Sequence, residues 1–345
     1  MLRVSVAFVS LVWAASAAAQ TGELHLVQEL RLGRVDGSGP DVFADIHDLA
    51  IDSFGRIYVL DPGWKDVRLF DGEGRFIRRL APEGEGPGER RHRPQFPARV
   101  TWDASRARLW IDDRRFLSVL DSLGAEYSRD THVPSFSERG SPTGVVVAVD
   151  KEGRVYEQQY RVPGDSVYSY VARGRDTTGY VVSGDTLHLD TRALIQRGSP
   201  RTDTSGGNTL TINFLAPERD HIAWSISPAG TVWLADPKEP RLHEVSIAGD
   251  TLGTFDIPRK DLAELDISPE GWIWARRAAD PDESIWDVLD NCGVYLGAAS
   301  VPYAVTVTEV GSAGVIHVVA SGHLDIEHVA RLRLDTETSP SRRSC

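Results

Sequence analysis

Two cysteines in 345 residues are too few for a disulfide-stapled miniprotein or a multi-cysteine zinc or iron–sulfur centre. Positive charge is also scarce, with 38 basic against 50 acidic side chains and a net charge of −12. A general nucleic-acid binder needs a basic surface to displace counterions from phosphates, so no nucleic-acid partner is expected. Past the first twenty residues no window approaches the roughly 18 consecutive apolar residues of a membrane helix, and the mature chain is expected to carry no membrane span. Several enzyme signatures are missing: the Gly-x-Ser-x-Gly elbow, the phosphate loop Gly-x-x-x-x-Gly-Lys and the His-Glu-x-x-His zinc helix. Catalytic triads assembled from distant positions stay open. At 41% hydrophobic and 26% charged residues, the chain is globular in composition rather than disordered or collagenous. Its length suggests two domains, although a single closed all-β array also runs this long.

The first twenty residues read as a leader. Arg3 is followed by the apolar run Val4–Ala15 and the small residues Ser16, Ala17, Ala18 and Ala19 before Gln20. This predicts a signal peptide over residues 1–19, removed on export to the periplasm or the extracellular space, with an uncleaved anchor as the alternative. Export permits a disulfide. Cys292 lies in an expected turn, and Cys345 ends the polar tail of residues 336–345. A Cys292–Cys345 bridge would pin that tail, and two free thiols or an intermolecular link are the other readings.

What the sequence does contain is a repeat. The phrase apolar, Asp or Ser, two residues, Gly, one residue, aliphatic, aromatic appears as Ile51–Tyr58, Val149–Tyr156, Ile226–Trp233 and Ile267–Trp274. Degenerate copies fill the gaps at Trp102–Trp110, one residue longer, and at Val310–His317. Each copy carries alternating apolar residues on both sides of a turn, the pattern of a β-hairpin. A second hairpin phrase follows most copies, as in Leu69-Phe70-Asp71 with Gly74 and Val119-Leu120-Asp121 with Gly124. Two hairpins make a four-stranded antiparallel unit, and radial repetition of such units makes a β-propeller.

Positions 58, 110, 156, 233, 274 and 317 are separated by 52, 46, 77, 41 and 43 residues. The expectation is an all-β, six-bladed β-propeller over residues 20–335, with an insertion near 190–220 in the long interval. Within that insertion only Thr209–Leu215 looks like a strand. The alternating segment Leu24–Leu32 precedes the first blade, and the last repeat stops after a third strand at Val329–Leu334. The early strand is therefore expected to complete the final blade and close the ring, removing an open sheet edge.

The repeats resemble six-bladed β-propellers of the NHL-repeat type found in exported bacterial proteins. The connectors Gly84-Glu85-Gly86-Pro87-Gly88-Glu89 and Gly37-Ser38-Gly39-Pro40 resemble the loops that join blades in that family. The resemblance spans about residues 23–335 and implies a fold rather than an activity, because the family includes binding platforms, hydrolases and lyases.

Within each repeat, the residues one and three places before the turn residue are mostly apolar, so those two and four places before it face the central channel. Those positions bring Asp48, Arg99, Glu264, Asp266 and Glu309 to one axis, among small residues such as Ala50, Thr101 and Ser225. The four carboxylates, Asp48, Glu264, Asp266 and Glu309, are the candidate ligands should a Ca²⁺ or Mg²⁺ ion bind, as in propeller lactonases. No Asn accompanies them, which departs from that pattern. Loops between the middle strands add Trp64 and Arg114 to the same face. The expected function is a non-catalytic binding or scaffold module for a protein or small-molecule ligand at the channel mouth, with no obligate cofactor. A metal-dependent, lactonase-like hydrolase or lyase is the alternative.

Overall fold

In the computed structural model, the described residues are 22–335 apart from 65, 83, 85–88, 90–98, 113–115, 132–144, 153–154, 162–168, 176–185, 191–200, 204–209, 213–222, 237–238, 247–249, 279–282, 313 and 322–325. The leader, Arg114, the tail and Cys345 lie outside them. Among the described residues there is no helix.

The strands run in chain order. β1 (Gly22–Leu24) and β2 (Leu26–Leu32) come first. A sheet of β3 (Asp48–Ile51), β4 (Ile57–Asp61), β5 (Asp66–Phe70) and β6 (Phe76–Leu80) follows. The next is β7 (Arg99–Asp103), β8 (Arg108–Asp112), β9 (Phe116–Asp121) and β10 (Glu126–Thr131). Then come β11 (Val145–Val149), β12 (Val155–Arg161), β13 (Ser169–Arg175) and β14 (Thr186–Asp190). β15 (Arg201–Asp203) and β16 (Leu210–Ile212) form a separate two-stranded ribbon. The anticipated single strand of this insertion thus has a partner, because Arg201 to Asp203 pair antiparallel with Ile212 to Leu210.

A further sheet contains β17 (Trp224–Ile226), β18 (Val232–Ala235), β19 (Arg241–Val245) and β20 (Thr251–Asp256). It is followed by β21 (Leu262–Ile267), β22 (Ile273–Arg277), β23 (Ser284–Leu289) and β24 (Tyr295–Val301). β25 (Ala304–Val310), β26 (Val315–Ser321) and β27 (Glu327–Leu334) end the series. β2 supplies the fourth strand of this last sheet, pairing antiparallel with β27 from Leu26↔Leu334 to Leu32↔Val329. β1 lies elsewhere, as a parallel fifth strand on the outer edge of β24.

The repeated phrase has a local physical cause, clearest in the turn between β3 and β4. Oδ1 of Asp52 accepts hydrogen bonds from the backbone N–H groups of Phe54 and Arg56, both at 2.9 Å. Gly55 N–H donates to the Asp52 carbonyl at 2.9 Å, with φ at +75°, a conformation that penalises a Cβ. Asp71, Asp121 and Asp290 repeat the same pair of carboxylate bonds two and four residues on. In Ser227 and Ser268 the hydroxyl accepts from the N–H four residues on. The longer copy at Asp103 has no glycine, and Ala107 takes the left-handed φ there, at +52°.

The first strand of each four-stranded set lies innermost. β3 packs on β7, β7 on β11, β17 on β21, and β25 on both β21 and β3. Between β11 and β17 the link runs through Lys151 N–H donating to Pro228 O at 3.0 Å and Ala148 packing near Trp224. Apolar clusters fill the seams between neighbouring sheets. One joins Tyr58 and Leu60 to Val100 and Ile111, a second joins Trp274 and Trp286 to Ile316 and Leu332, and a third joins Leu49 and Phe70 to Val319 and Val329. Antiparallel sheets arranged radially on their first strands make an all-β propeller. Tryptophans serve these seams, with Trp102 stacked on Tyr58 at 5.7 Å.

Candidate functional site at the channel mouth

The innermost strands start at one end of the axis; Asp48 and Arg99 open β3 and β7 there, Glu264 is the third residue of β21, and Asp266 and Glu309 lie deeper, next to last in β21 and β25. Asp48 opposes Leu60 in the register of β3 and β4, so the β4–β5 loop opens at this same end. The electrostatic environments of Asp48, Asp266 and Glu309 all include Arg99, so groups from β3, β7, β21 and β25 share one neighbourhood.

Two of the four carboxylates are committed to the wall. Asp48 accepts from its neighbour Leu49 N–H at 3.0 Å and from Val100 N–H at 2.9 Å, so its side chain stitches β3 to β7. Glu264 pairs with Arg276 at 2.9 Å, and Arg276 also donates to the Val305 carbonyl at 2.9 Å, stitching β22 to β25. A third stitch comes from Glu327, which accepts from Ile46 N–H at 2.5 Å. Ser284 makes a fourth by accepting from Val305 N–H at 2.9 Å.

Of the other two carboxyl groups, Asp266 is the one with a buried oxygen, Oδ2, left without a donor. Burial pushes its affinity for a proton well up, and the neighbouring Glu264 and Glu309 push the same way. Burial likewise raises Glu309 to a pKa of about 8, with Asp48 and Glu264 adding repulsion and Arg99 opposing. Asp48 is shifted upward too, mainly by burial. Arg99 is exposed at the mouth and has no ion pair with any described residue. Among the described residues, no group of three or more His, Cys, Asp or Glu side chains is close enough to hold a metal ion.

The rim of the mouth is shaped by a residue that sequence reasoning missed. Arg68 on β5 is buried, ion-paired with Asp66 at 3.1 Å and Asp61 at 3.6 Å. Its guanidinium also donates to the carbonyls of Pro40 and Val42, at 2.8 and 2.6 Å. Asp61 accepts from the N–H groups of Ala44, Asp45 and Trp64 at 3.0 to 3.2 Å. The guanidinium lies 5.6 Å from the Trp64 ring centre and 5.5 Å from that of Phe43. The indole of Trp64 is thus fixed from beneath and left 51% exposed. The only hint in the sequence was a pair of acidic residues, Asp61 and Asp66, bracketing the loop two residues before an arginine. Of the sequence-derived candidates, Asp48, Arg99, Glu264, Asp266 and Glu309 share one electrostatic neighbourhood, Trp64 stands on the β4–β5 loop, and Arg114 lies outside the described residues. Cys292 is disulfide-linked, and the other cysteine of the chain, Cys345, lies outside the described residues.

Fold and site together define a β-propeller whose axial mouth is lined by ionisable groups. A streptogramin B lyase shares the architecture with a TM-score of 0.52 and 11% identity, over 90% of this chain and 98% of that one. A catalytically inactive virginiamycin B lyase from Staphylococcus aureus, in complex with quinupristin, gives 0.52 and 8%, over 91% and 100%. An exported protein from Bacteroides fragilis gives 0.51 and 10%, over 92% and 97%. At such identities the likeness is one of fold alone. No protein-family model matches the chain, and no curated sequence matches it.

Proposed function

We propose that the protein is an exported six-bladed propeller of the NHL type that acts as a non-catalytic binding or scaffold module, taking a protein or small-molecule ligand at the channel mouth. The leader over residues 1–19 and the absence, among the described residues, of a helix long and apolar enough to cross a membrane are consistent with export. The six-copy repeat supports the blade count. The observation that carries the binding reading is the preorganised rim, in which buried Arg68 and Asp61 hold a half-exposed Trp64 beside the charged mouth. An aromatic fixed in this way loses little conformational freedom on contact, as is typical of binding hot spots.

The alternative, a hydrolase or lyase using a divalent ion, draws on the shared neighbourhood of Asp266 and Glu309. Against it, Asp48 and Glu264 already spend their oxygens on protein donors. Calorimetric titration of Ca²⁺, Mg²⁺ and Zn²⁺, paired with a lactone-hydrolysis screen, separates the two. Sub-millimolar metal binding that is lost in Glu264→Gln, together with turnover, would replace the binding reading. A ligand from a panel of oligosaccharides, peptides and organic acids that binds without turnover, and weakens in Trp64→Ala, is the result expected.

A further inference from the structure

Not every charge at the mouth is engaged. Asp48 and Glu264 hold the wall together. That leaves Arg99, exposed and without an ion pair among the described residues, in the same electrostatic neighbourhood as Glu309 and as Asp266, whose buried Oδ2 has no hydrogen-bond partner. The ionisable groups here are Asp48 from β3, Arg99 from β7, Glu264 and Asp266 from β21, Arg276 from β22 and Glu309 from β25. Between them on β17, Ser225 is uncharged, and Ala223 just before that strand is buried.

If all four carboxyl groups were ionised, they would outnumber the two guanidinium groups and the mouth would attract cations. Burial and mutual repulsion work against that state, because each added negative charge raises the cost of the next. Glu309, with a pKa of about 8, carries its proton at neutral pH, and Asp266 is driven in the same direction. A protonated carboxyl group donates a hydrogen bond, whereas an ionised one only accepts. With Glu309 protonated, the mouth at neutral pH offers a guanidinium and a carboxyl donor, which suits an anion rather than a cation.

We propose that the channel mouth binds the carboxylate group of a small organic acid, with Arg99 as the ion-pair partner and Glu309 as a hydrogen-bond donor. A planar carboxylate matches the two parallel N–H bonds of a guanidinium. This assignment rests on the binding-module reading and specifies its ligand class.

The test is calorimetry of the intact chain with acetate, succinate, inorganic phosphate and CaCl₂ as separate probes, at pH 6 and pH 9. Succinate or acetate is expected to bind at pH 6 and to weaken about tenfold by pH 9, as a donor with a pKa of about 8 loses its proton. Arg99→Gln should weaken binding at least about tenfold, and Arg99→Lys should restore part of it. Glu309→Gln keeps a donor without a titrating proton, so binding should persist with a flatter pH profile. Three results would overturn the proposal: no carboxylate binding up to 10 mM, phosphate bound in preference, or Ca²⁺ binding that strengthens with pH. A panel ligand whose binding depends on Trp64 but not on Arg99 would sink this assignment while leaving the binding reading intact. Metal-dependent turnover would remove both.

Discussion

The two ends of the innermost strands are built on opposite logics. At the turn end the same arrangement recurs in most sheets, an Asp or Ser side chain serving N–H groups close by and, in most copies, a left-handed glycine. At the mouth end no two sheets present the same residues, and the side chains reach across to neighbouring sheets. Turn-end residues form the hairpins, while mouth-end residues are free to differ because the hairpins do not depend on them. The repeat thus encodes the fold, and departures from it gather at the end where the binding site is proposed.

Manipulating each end separately breaks or sharpens this contrast. The largest effect is expected from removing residues 22–32, which takes away the outer strand of the last sheet and the strand added to β24. The ring should then fail to fold cooperatively, seen as loss of the cooperative thermal transition by circular dichroism. A shortened chain melting in one transition near the intact temperature would refute ring closure by β2.

Next comes Asp52→Ala at the turn end. Asp52 is buried and serves the N–H groups of Phe54 and Arg56, the Arg56 guanidinium at 2.5 Å and the Tyr58 hydroxyl at 3.1 Å. Stranding those donors should cost about 3 kcal/mol in urea unfolding. A loss below about 1 kcal/mol would show that the repeated aspartate is dispensable.

Buried titrating groups give opposite pH signatures. His317 on β26 has neither ring nitrogen partnered, and burial together with nearby Arg331 lowers its pKa to about 4. The folded state resists protonation there, so its contribution is whole above pH 6.5 and is lost as pH falls from 6.5 towards 4, by up to about 3 kcal/mol. His317→Gln should remove that component from the acid side of a stability profile. Glu309 behaves conversely. Its pKa is raised from 4.5 to about 8, so stability is whole below pH 4.5 and lost as pH rises through 8. Glu309→Gln should therefore gain on the order of 2 kcal/mol at pH 9 and nothing at pH 4.5, by chemical denaturation. Arg99→Gln is the smallest perturbation, within about 0.5 kcal/mol, because the side chain is exposed and has no ion pair among the described residues. A large loss there would mean that Arg99 belongs to the wall.

The turn end was readable from sequence because its interactions span four or five residues, so spacing alone exposes them. Even the longer copy at Asp103 is legible, with Ala107 taking the part that glycine plays elsewhere. Ring closure could be read from one spare strand at the start and one missing at the end. At the mouth, periodicity placed Asp48, Arg99, Glu264, Asp266 and Glu309 together but treated the carboxylates as equivalent. Their difference depends on partners far along the chain, such as Val100 N–H, 52 residues from Asp48. Arg68 escaped notice for the same reason, since its partners at Pro40 and Val42 lie 28 and 26 residues away.

Leu26 pairs with Leu334, and Asp335 N–H donates to His25 O at 2.9 Å. The seam that locks the ring thus joins segments more than 300 residues apart, and it cannot form until the final sheet has been synthesised. Contacts of such long range make closure a late and slow event. A chain whose last stitch joins its first strands to its last stays open, with its outer edge strands unpaired, for as long as it is being made.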